Sequence, residues 1–97
     1  MNQIHEVKCL REFFVPIIEG RKTFEVRKND RNYKVGDGLL LIETYKNGKS
    51  SGRAAYCHIS YILPGGAYGI SPEYCVLGIQ FWQINHMNVT YPEAESD

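Results

Sequence analysis

The sequence lacks a long hydrophobic run, an excess of either charge and a disulfide pattern. None of its apolar stretches approaches the ~20 residues that span a bilayer. Its first residues also lack the basic and apolar regions of a secretory signal. The three cysteines are odd in number and far apart, which excludes a disulfide framework and favours small buried thiols in a reducing compartment. We therefore expect a cytoplasmic protein that does not bind membranes.

The length and the apolar content are those of one ordinary globular domain. The chain has 97 residues, of which 43% are hydrophobic, and it contains no internal repeat or low-complexity stretch. We expect one domain over residues 1–85, a monomer, and a flexible acidic tail over residues 86–97.

A formal net charge of zero argues against a nucleic-acid partner only if the charges are evenly distributed. All eleven basic residues lie between Lys8 and Arg53, whereas three of the eleven acids belong to the last five residues. Residues 20–37 hold six bases and three acids. Because salt confines a charge's field to about 8–10 Å, this local excess can attract phosphate. It is modest, and it fits a small pocket better than a long electrostatic track.

Hydrophobic periodicity predicts one helix and about five short strands. Apolar residues at helical spacing from Leu10 to Ile18 indicate one helix face, and Gly20 supplies the stop. Pro16 is tolerated there only if the helix begins near Glu12. Strands are predicted over residues 4–9, 22–28, 39–44, 53–63 and 73–82.

The predicted strands are joined by hairpins, with Asn47–Gly48 as the strongest turn signal. This order predicts an α+β fold: a small, mostly antiparallel β-barrel of five or six strands with one or two short helices. Closure into a barrel would remove the exposed edges of the sheet.

Side chains on the predicted strand over residues 53–63 alternate between two faces. Cys57 and His58 are adjacent and therefore face opposite ways, so they cannot easily share a metal ion. We expect no metal site and no cofactor. One face is predicted to hold Ala55, Cys57, Ile59, Tyr61 and Leu63.

The densest polar pattern lies at the strand predicted over residues 22–28. Thr23, Glu25 and Arg27 share one face of this strand, and Lys22 stands at the corner between helix and strand. A lysine, a carboxylate and an arginine on one sheet face can bind a phosphate or a base edge through charge-assisted hydrogen bonds. Alternatively, Lys22 and Glu25 could transfer protons if burial shifted their pKa values. The simplest alternative is a surface ion pair worth about 0–1 kcal/mol.

The loop over residues 64–72 is rich in glycine and proline and carries Tyr68. An exposed tyrosine can act as a stacking platform, worth about 1–3 kcal/mol per base. The neighbouring glycines would let the loop close over a ligand. We therefore include Tyr68 among the candidate binding residues.

The pattern G-x-K-x-x-E-x-R, formed by Gly20, Lys22, Glu25 and Arg27 and followed by Val35-Gly36-Asp37, resembles the ASCH group of PUA-like domains. The closest resemblance is to its small single-domain branch of bacterial and phage proteins, and it covers roughly residues 4–80. This resemblance implies a five- or six-stranded barrel with flanking helices, beside which a cleft holds RNA or a nucleotide-like ligand.

The resemblance implies that Lys22, Glu25 and Arg27 line the cleft, with Asn29, Asp30 and Arg31 on its rim. One ASCH branch is similar to amidohydrolases that deacetylate acetylated cytidine with a lysine, a threonine and a glutamate. Lys22 matches that lysine, but Glu25 stands in the place of the threonine, and Glu73 is the nearest counterpart of the distal glutamate.

The motif residues and the resemblance together predict three candidate functions. The first is binding of RNA or a nucleotide-like ligand by Lys22, Thr23, Glu25, Arg27, Asn29, Arg31 and Tyr68. The second is hydrolysis of a modified nucleoside with Lys22 and Glu25 as the catalytic pair. The third is a protein-interaction module with a vestigial cleft.

Overall fold

The fold is described by a computed structural model that covers residues 2–86. One short helix and five strands follow one another along the chain. They are β1 (Ile4–Leu10), α1 (Arg11–Ile18), β2 (Phe24–Lys28), β3 (Gly38–Thr44), β4 (Ser50–Pro64) and β5 (Tyr74–His86).

The five strands form one sheet in the order β1-β3-β4-β5-β2. β1 pairs with β3 in parallel, and every other neighbouring pair is antiparallel. The sheet curls into a half-barrel, with β1 and β2 as its two edges. The expectation of a small, mostly antiparallel α+β domain is thereby confirmed at this level.

The two edge strands approach each other, but the paired strands of the described chain do not close the sheet. Two arginines bridge the gap instead. Arg27 donates from Nη1 to the carbonyl oxygen of Lys8 at 3.0 Å, and Arg31 donates to that of Glu6 at 3.0 Å. At this gap between the two edges, which we call the seam, side-chain hydrogen bonds therefore connect the edges, whereas backbone hydrogen bonds connect the strands elsewhere in the sheet.

The helix packs its apolar face against the concave side of the sheet. Phe14 and Ile17 are buried there together with Leu39, Leu41 and Leu77. α1 begins at Arg11, so Pro16 lies in its second turn rather than its first. The tight turn that follows the helix uses the carbonyl oxygen of Pro16 as a hydrogen-bond acceptor.

A β-bulge interrupts the side-chain alternation predicted for β4. Ile59 pairs with Ile79 but Tyr61 pairs with Gly78, so β4 carries one extra residue at this point. An extra residue reverses the faces of the strand beyond it. Tyr61 is therefore 65% exposed, and Ile62 packs against the core in its place. The prediction that Tyr61 shares the buried face of Ala55 is wrong for this reason.

No helix between residues 2 and 86 is long and apolar enough to cross a membrane. β5 runs to His86, and the rest of the predicted acidic tail lies outside the described residues.

Candidate functional site

A tight turn after α1 places Lys22 just before the start of β2. Gly20 adopts a φ of 79°, a left-handed conformation that glycine reaches without strain. The backbone N–H groups of Arg21 and Lys22 then both donate to the carbonyl oxygen of Pro16, at 2.9 and 3.1 Å. The stop signal in the sequence therefore also orients the first charged residue of the site.

The alternation predicted for β2 is present, and its charged face points inward. Glu25 is only 5% exposed, whereas Phe24 and Val26 are 45% and 53% exposed. β2 pairs with β5 over its whole length, and Glu25 lies opposite the buried Leu77. The carboxylate is therefore held at the concave side of the sheet, and the alternative of a surface ion pair does not apply to Glu25.

Two cations compensate the buried carboxylate of Glu25. Lys22 Nζ lies 2.7 Å from Oε1, and Arg27 Nη1 lies 3.3 Å from Oε2. Lys22 also donates to the carbonyl oxygen of Phe24 at 2.7 Å, which fixes its ammonium group. The lysine, glutamate and arginine of the motif thus form one connected cluster, as the spacing predicts.

This cluster lies in a pocket of about 560 Å³ between β1, α1 and β2, which we call the Glu25 pocket. The size is within the usual range for small-molecule sites. Its apolar lining residues are Leu10, Phe13, Phe24 and Val26, and its other lining residues are Lys8, Cys9, Lys22, Glu25 and Arg27.

Two aromatic rings distinguish the Glu25 pocket from a purely polar cleft. Phe13 and Phe24 are 46% and 45% exposed, and the Lys22 ammonium lies 5.7 and 4.8 Å from their ring centroids. The helical spacing from Leu10 to Ile18 predicts that Phe13 shares the apolar face of the helix with Phe14. What separates the two residues is tertiary, because Phe14 packs in the buried core whereas Phe13 lines the Glu25 pocket.

A buried network stands behind Arg27. Arg27 lies close to the side chain of Tyr33, whose ring packs edge-on against His5 at 4.8 Å between centroids. His5 Nε2 in turn donates to Asp37 Oδ2 at 2.7 Å, and both residues are buried. Burial would raise the pKa of Asp37, but the hydrogen bonds from His5 and two backbone N–H groups outweigh it and hold that pKa below its usual value.

The remaining predicted site residues do not line the Glu25 pocket. Arg31 bridges the seam next to Arg27, and Thr23 is exposed, with its carbonyl oxygen accepting from the Ile79 N–H group. Asn29 donates its backbone N–H to the carbonyl oxygen of Glu73. Tyr68 is 87% exposed on the loop between β4 and β5.

A second buried carboxylate, Glu43, was not singled out from the sequence. It is 1% exposed and accepts from Arg53 Nε at 2.6 Å and Nη2 at 3.2 Å, and from Ser51 Oγ at 2.5 Å. Burial would raise the pKa of Glu43, but the hydrogen bonds from Arg53 and Ser51 hold it below its usual value. The signal that could have found it is a single acid within the apolar run of β3.

Cys57 and His58 face opposite sides of the sheet, as predicted. Cys57 is fully buried, whereas His58 stacks on Trp82 with ring centroids 4.0 Å apart. Among residues 2–86, no three His, Cys, Asp or Glu side chains come together to hold a metal ion.

The three cysteines should be unreactive in the native protein. All are buried and free, and burial raises the pKa of Cys9 and of Cys57 to about 12 and that of Cys75 above its usual value. A pKa near 12 leaves about one thiolate in ten thousand at pH 8. We expect Ellman's reagent to detect three thiols in denaturant and essentially none in the native state. Rapid reaction of one native thiol would contradict this expectation.

A family model described as "Domain of unknown function (DUF3850)" matches residues 4–79. The matched region contains every residue that lines the Glu25 pocket. A relative from Escherichia phage P2, named "Uncharacterized 12.9 kDa protein in GpA 3'region", is 43% identical over 60 residues. This alignment covers 62% of the present chain and 54% of the relative, so the chain spans about half the length of the curated relative it matches.

Proposed function

We propose that this chain, which belongs to the family described as Domain of unknown function (DUF3850), binds RNA or a nucleotide-like ligand in the Glu25 pocket. The observation that carries the proposal is a buried carboxylate held between a lysine and an arginine beside two exposed phenylalanine rings. A nucleotide offers complementary groups: an aromatic base, a polar base edge and an anionic phosphate.

Each part of the pocket suits one part of such a ligand. Phe13 and Phe24 present ring surface against which a base can stack. Glu25 can accept a hydrogen bond from an amino group on the base edge. Lys22 and Arg27 can donate to phosphate or carbonyl oxygens, because each cation has more donors than its contacts with Glu25 use.

The resemblance to the ASCH group of PUA-like domains is part of the same proposal. It is supported by the curled five-stranded sheet and by the position of the motif residues in a pocket beside it. The family match and the phage relative carry no functional description, so the proposal depends on the chemistry of the pocket.

Substitution of Lys22 or Arg27 tests the proposal. We expect Lys22→Ala and Arg27→Gln each to weaken binding of short single-stranded RNA at low salt by about 10- to 150-fold, because a hydrogen bond to a charged group is worth roughly 1.5–3 kcal/mol. Amide chemical-shift titration of the unmutated protein should place the largest changes around the Glu25 pocket.

Lys34→Ala is the matched control, since it removes one exposed positive charge outside the pocket. It should leave RNA affinity nearly unchanged. If neither nucleoside monophosphates nor short RNAs shift any resonance around Glu25 at low salt, the proposal is wrong.

One contact favours hydrolysis of a modified nucleoside as a second candidate. Lys22 Nζ and Glu25 Oε1 are 2.7 Å apart, a geometry suited to proton transfer when water adds to an amide carbonyl and releases a carboxylic acid and an amine. Glu73 does not line this pocket, which leaves Glu25 as its carboxylate among the described residues. Hydrolysis of acetylated cytidine that is lost in Glu25→Gln would support this candidate, and no turnover by the unmutated protein would remove it.

A further inference from the structure

Two further pockets adjoin the Glu25 pocket around the junction of β1 and α1. The first, of about 490 Å³, shares Leu10 with the Glu25 pocket and extends along α1; we call it the helix pocket. The second, of about 370 Å³, shares Arg11 with the helix pocket and contains Glu43; we call it the Glu43 pocket. Each neighbouring pair shares one lining residue, so the three pockets lie side by side on the surface, and we call them together the depression.

Most of the basic residues of the chain line this depression. Seven of the eleven basic residues line it, against three acids. Two of these acids, Glu25 and Glu43, are buried and ion-paired, so only Glu12 presents an exposed carboxylate. The basic residues are Lys8, Lys22 and Arg27 in the Glu25 pocket, Arg21 and Lys46 in the helix pocket, Arg53 in the Glu43 pocket, and Arg11 in the last two.

The arginines of the Glu43 pocket are held in place but remain accessible. The side chain of Arg53 is 35% exposed although it forms two hydrogen bonds with Glu43. That of Arg11 is 47% exposed and lies 3.8 Å from Glu43 and 5.9 Å from the ring centroid of Tyr45. A guanidinium group has five N–H donors, so both arginines keep donors for a phosphate.

We propose that the three pockets form one track for a single RNA strand, with one nucleotide in the Glu25 pocket and the following phosphates along Arg11, Arg21 and Arg53. This inference rests on the proposed function, because it extends the same site. The track replaces the expectation of a ligand confined to one small pocket. The basic residues that line it come from the whole range between Lys8 and Arg53, not from residues 20–37 alone.

We expect the track to hold about four nucleotides, the lower end of the range that one OB-fold barrel binds. Single-stranded RNA suits it better than an acidic peptide, because exposed Phe13 and Phe24 offer ring surface for a base at one end. A rigid duplex suits it less, since its paired and stacked bases are not free to stack on Phe13 and Phe24.

Ligand length and salt dependence test the track. Fluorescence anisotropy competition should compare the four nucleoside monophosphates, a random-sequence octanucleotide and octaglutamate. Each phosphate contact adds about 0.7 to the slope of log K against log salt for single strands. We expect the octanucleotide to bind more tightly than any monophosphate, with a slope steeper by about two.

Arg21→Gln and Arg11→Gln probe the part of the track outside the Glu25 pocket. Each should weaken the octanucleotide about fivefold near 0.1 M salt and reduce the slope by about 0.7, while monophosphate affinity stays unchanged. Arg21 is exposed and its side chain pairs with the exposed Glu19, so its replacement should not unfold the protein. Lys34→Gln is the control, because it removes the same single positive charge outside the track. It should change neither the octanucleotide affinity nor the salt slope.

Three results would overturn the track. They are equal affinities for monophosphate and octanucleotide, an octanucleotide affinity unaffected by both arginine variants, and octaglutamate binding as tight as RNA. In the first two cases, monophosphate shifts confined to the Glu25 pocket would leave the proposed function intact. Absence of any nucleotide-induced shift at that pocket would instead refute the proposed function itself.

Discussion

Replacing Asp37 by alanine is expected to lower the free energy of unfolding by about 4 kcal/mol. The Asp37 carboxylate accepts from His5 Nε2 at 2.7 Å and from the backbone N–H groups of Gln3 and Lys34 at 3.2 and 3.1 Å. Alanine would leave all three donors without this acceptor, at the point where the start of β1 meets the turn before β3. Urea unfolding followed by the fluorescence of Trp82, the single tryptophan, measures the effect.

The pH dependence identifies the carboxylate as the cause. Because the folded pKa of Asp37 lies below its ordinary value of 3.8, its contribution to stability is present above about pH 3.8 and is lost as the pH falls through the folded pKa. The difference in stability between the unmutated protein and Asp37→Ala should therefore shrink on acidification. Asp37→Asn, which keeps the shape and one acceptor, should lose about half as much. Equal stability of Asp37→Ala and the unmutated protein would contradict this account.

Replacing Arg53 by methionine is expected to lower the free energy of unfolding by about 3 kcal/mol, because it leaves a buried carboxylate without its main partner. Glu43 is 1% exposed, and Arg53 supplies two of its hydrogen bonds. We place the loss at the lower end of the range for broken buried pairs, since Arg53 is itself partly exposed and Arg11 remains at 3.8 Å. Chemical denaturation at neutral pH measures the loss.

A double-mutant cycle separates the ion pair from the packing of Arg53 over Phe14. Glu43→Gln should recover part of the stability lost in Arg53→Met, because no unpaired charge then remains buried. In the unmutated protein, the contribution of Glu43 is present above about pH 4.5 and is lost as the pH falls through its lowered folded pKa. Arg11→Met is the control and should cost about 1 kcal/mol or less. Strictly additive effects of Arg53→Met and Glu43→Gln would exclude the ion pair as the cause.

Much of the fold could be predicted because its signals are local. The helical spacing of Phe14 and Ile17 predicts α1, and strand alternation places Cys75, Leu77 and Ile79 on one face of β5, where they are buried. Both patterns depend only on the geometry of a single element.

The errors arose where a distant contact changes a local pattern. The bulge between Ile59 and Tyr61 depends on the pairing of β4 with β5, and no feature of β4 alone reveals it. Phe13 has the spacing of a core residue, but it lines the Glu25 pocket and stays 46% exposed. The expected barrel is present in part, as a half-barrel among the described residues, and Arg27 and Arg31 bridge its open side with side chains.

The sequence by itself determined which residues of the candidate site share a strand face. Glu25 and Arg27 are two residues apart, and a period of two places them on the same side of any strand. Only the tertiary structure decided that this side faces inward, that Lys22 returns to Glu25 through the Gly20 turn, and that Arg27 reaches across to β1. The physical reason is that burial of a carboxylate is tolerable only where cations from other parts of the fold compensate its lost hydration, and such compensation depends on contacts between segments that are distant in sequence.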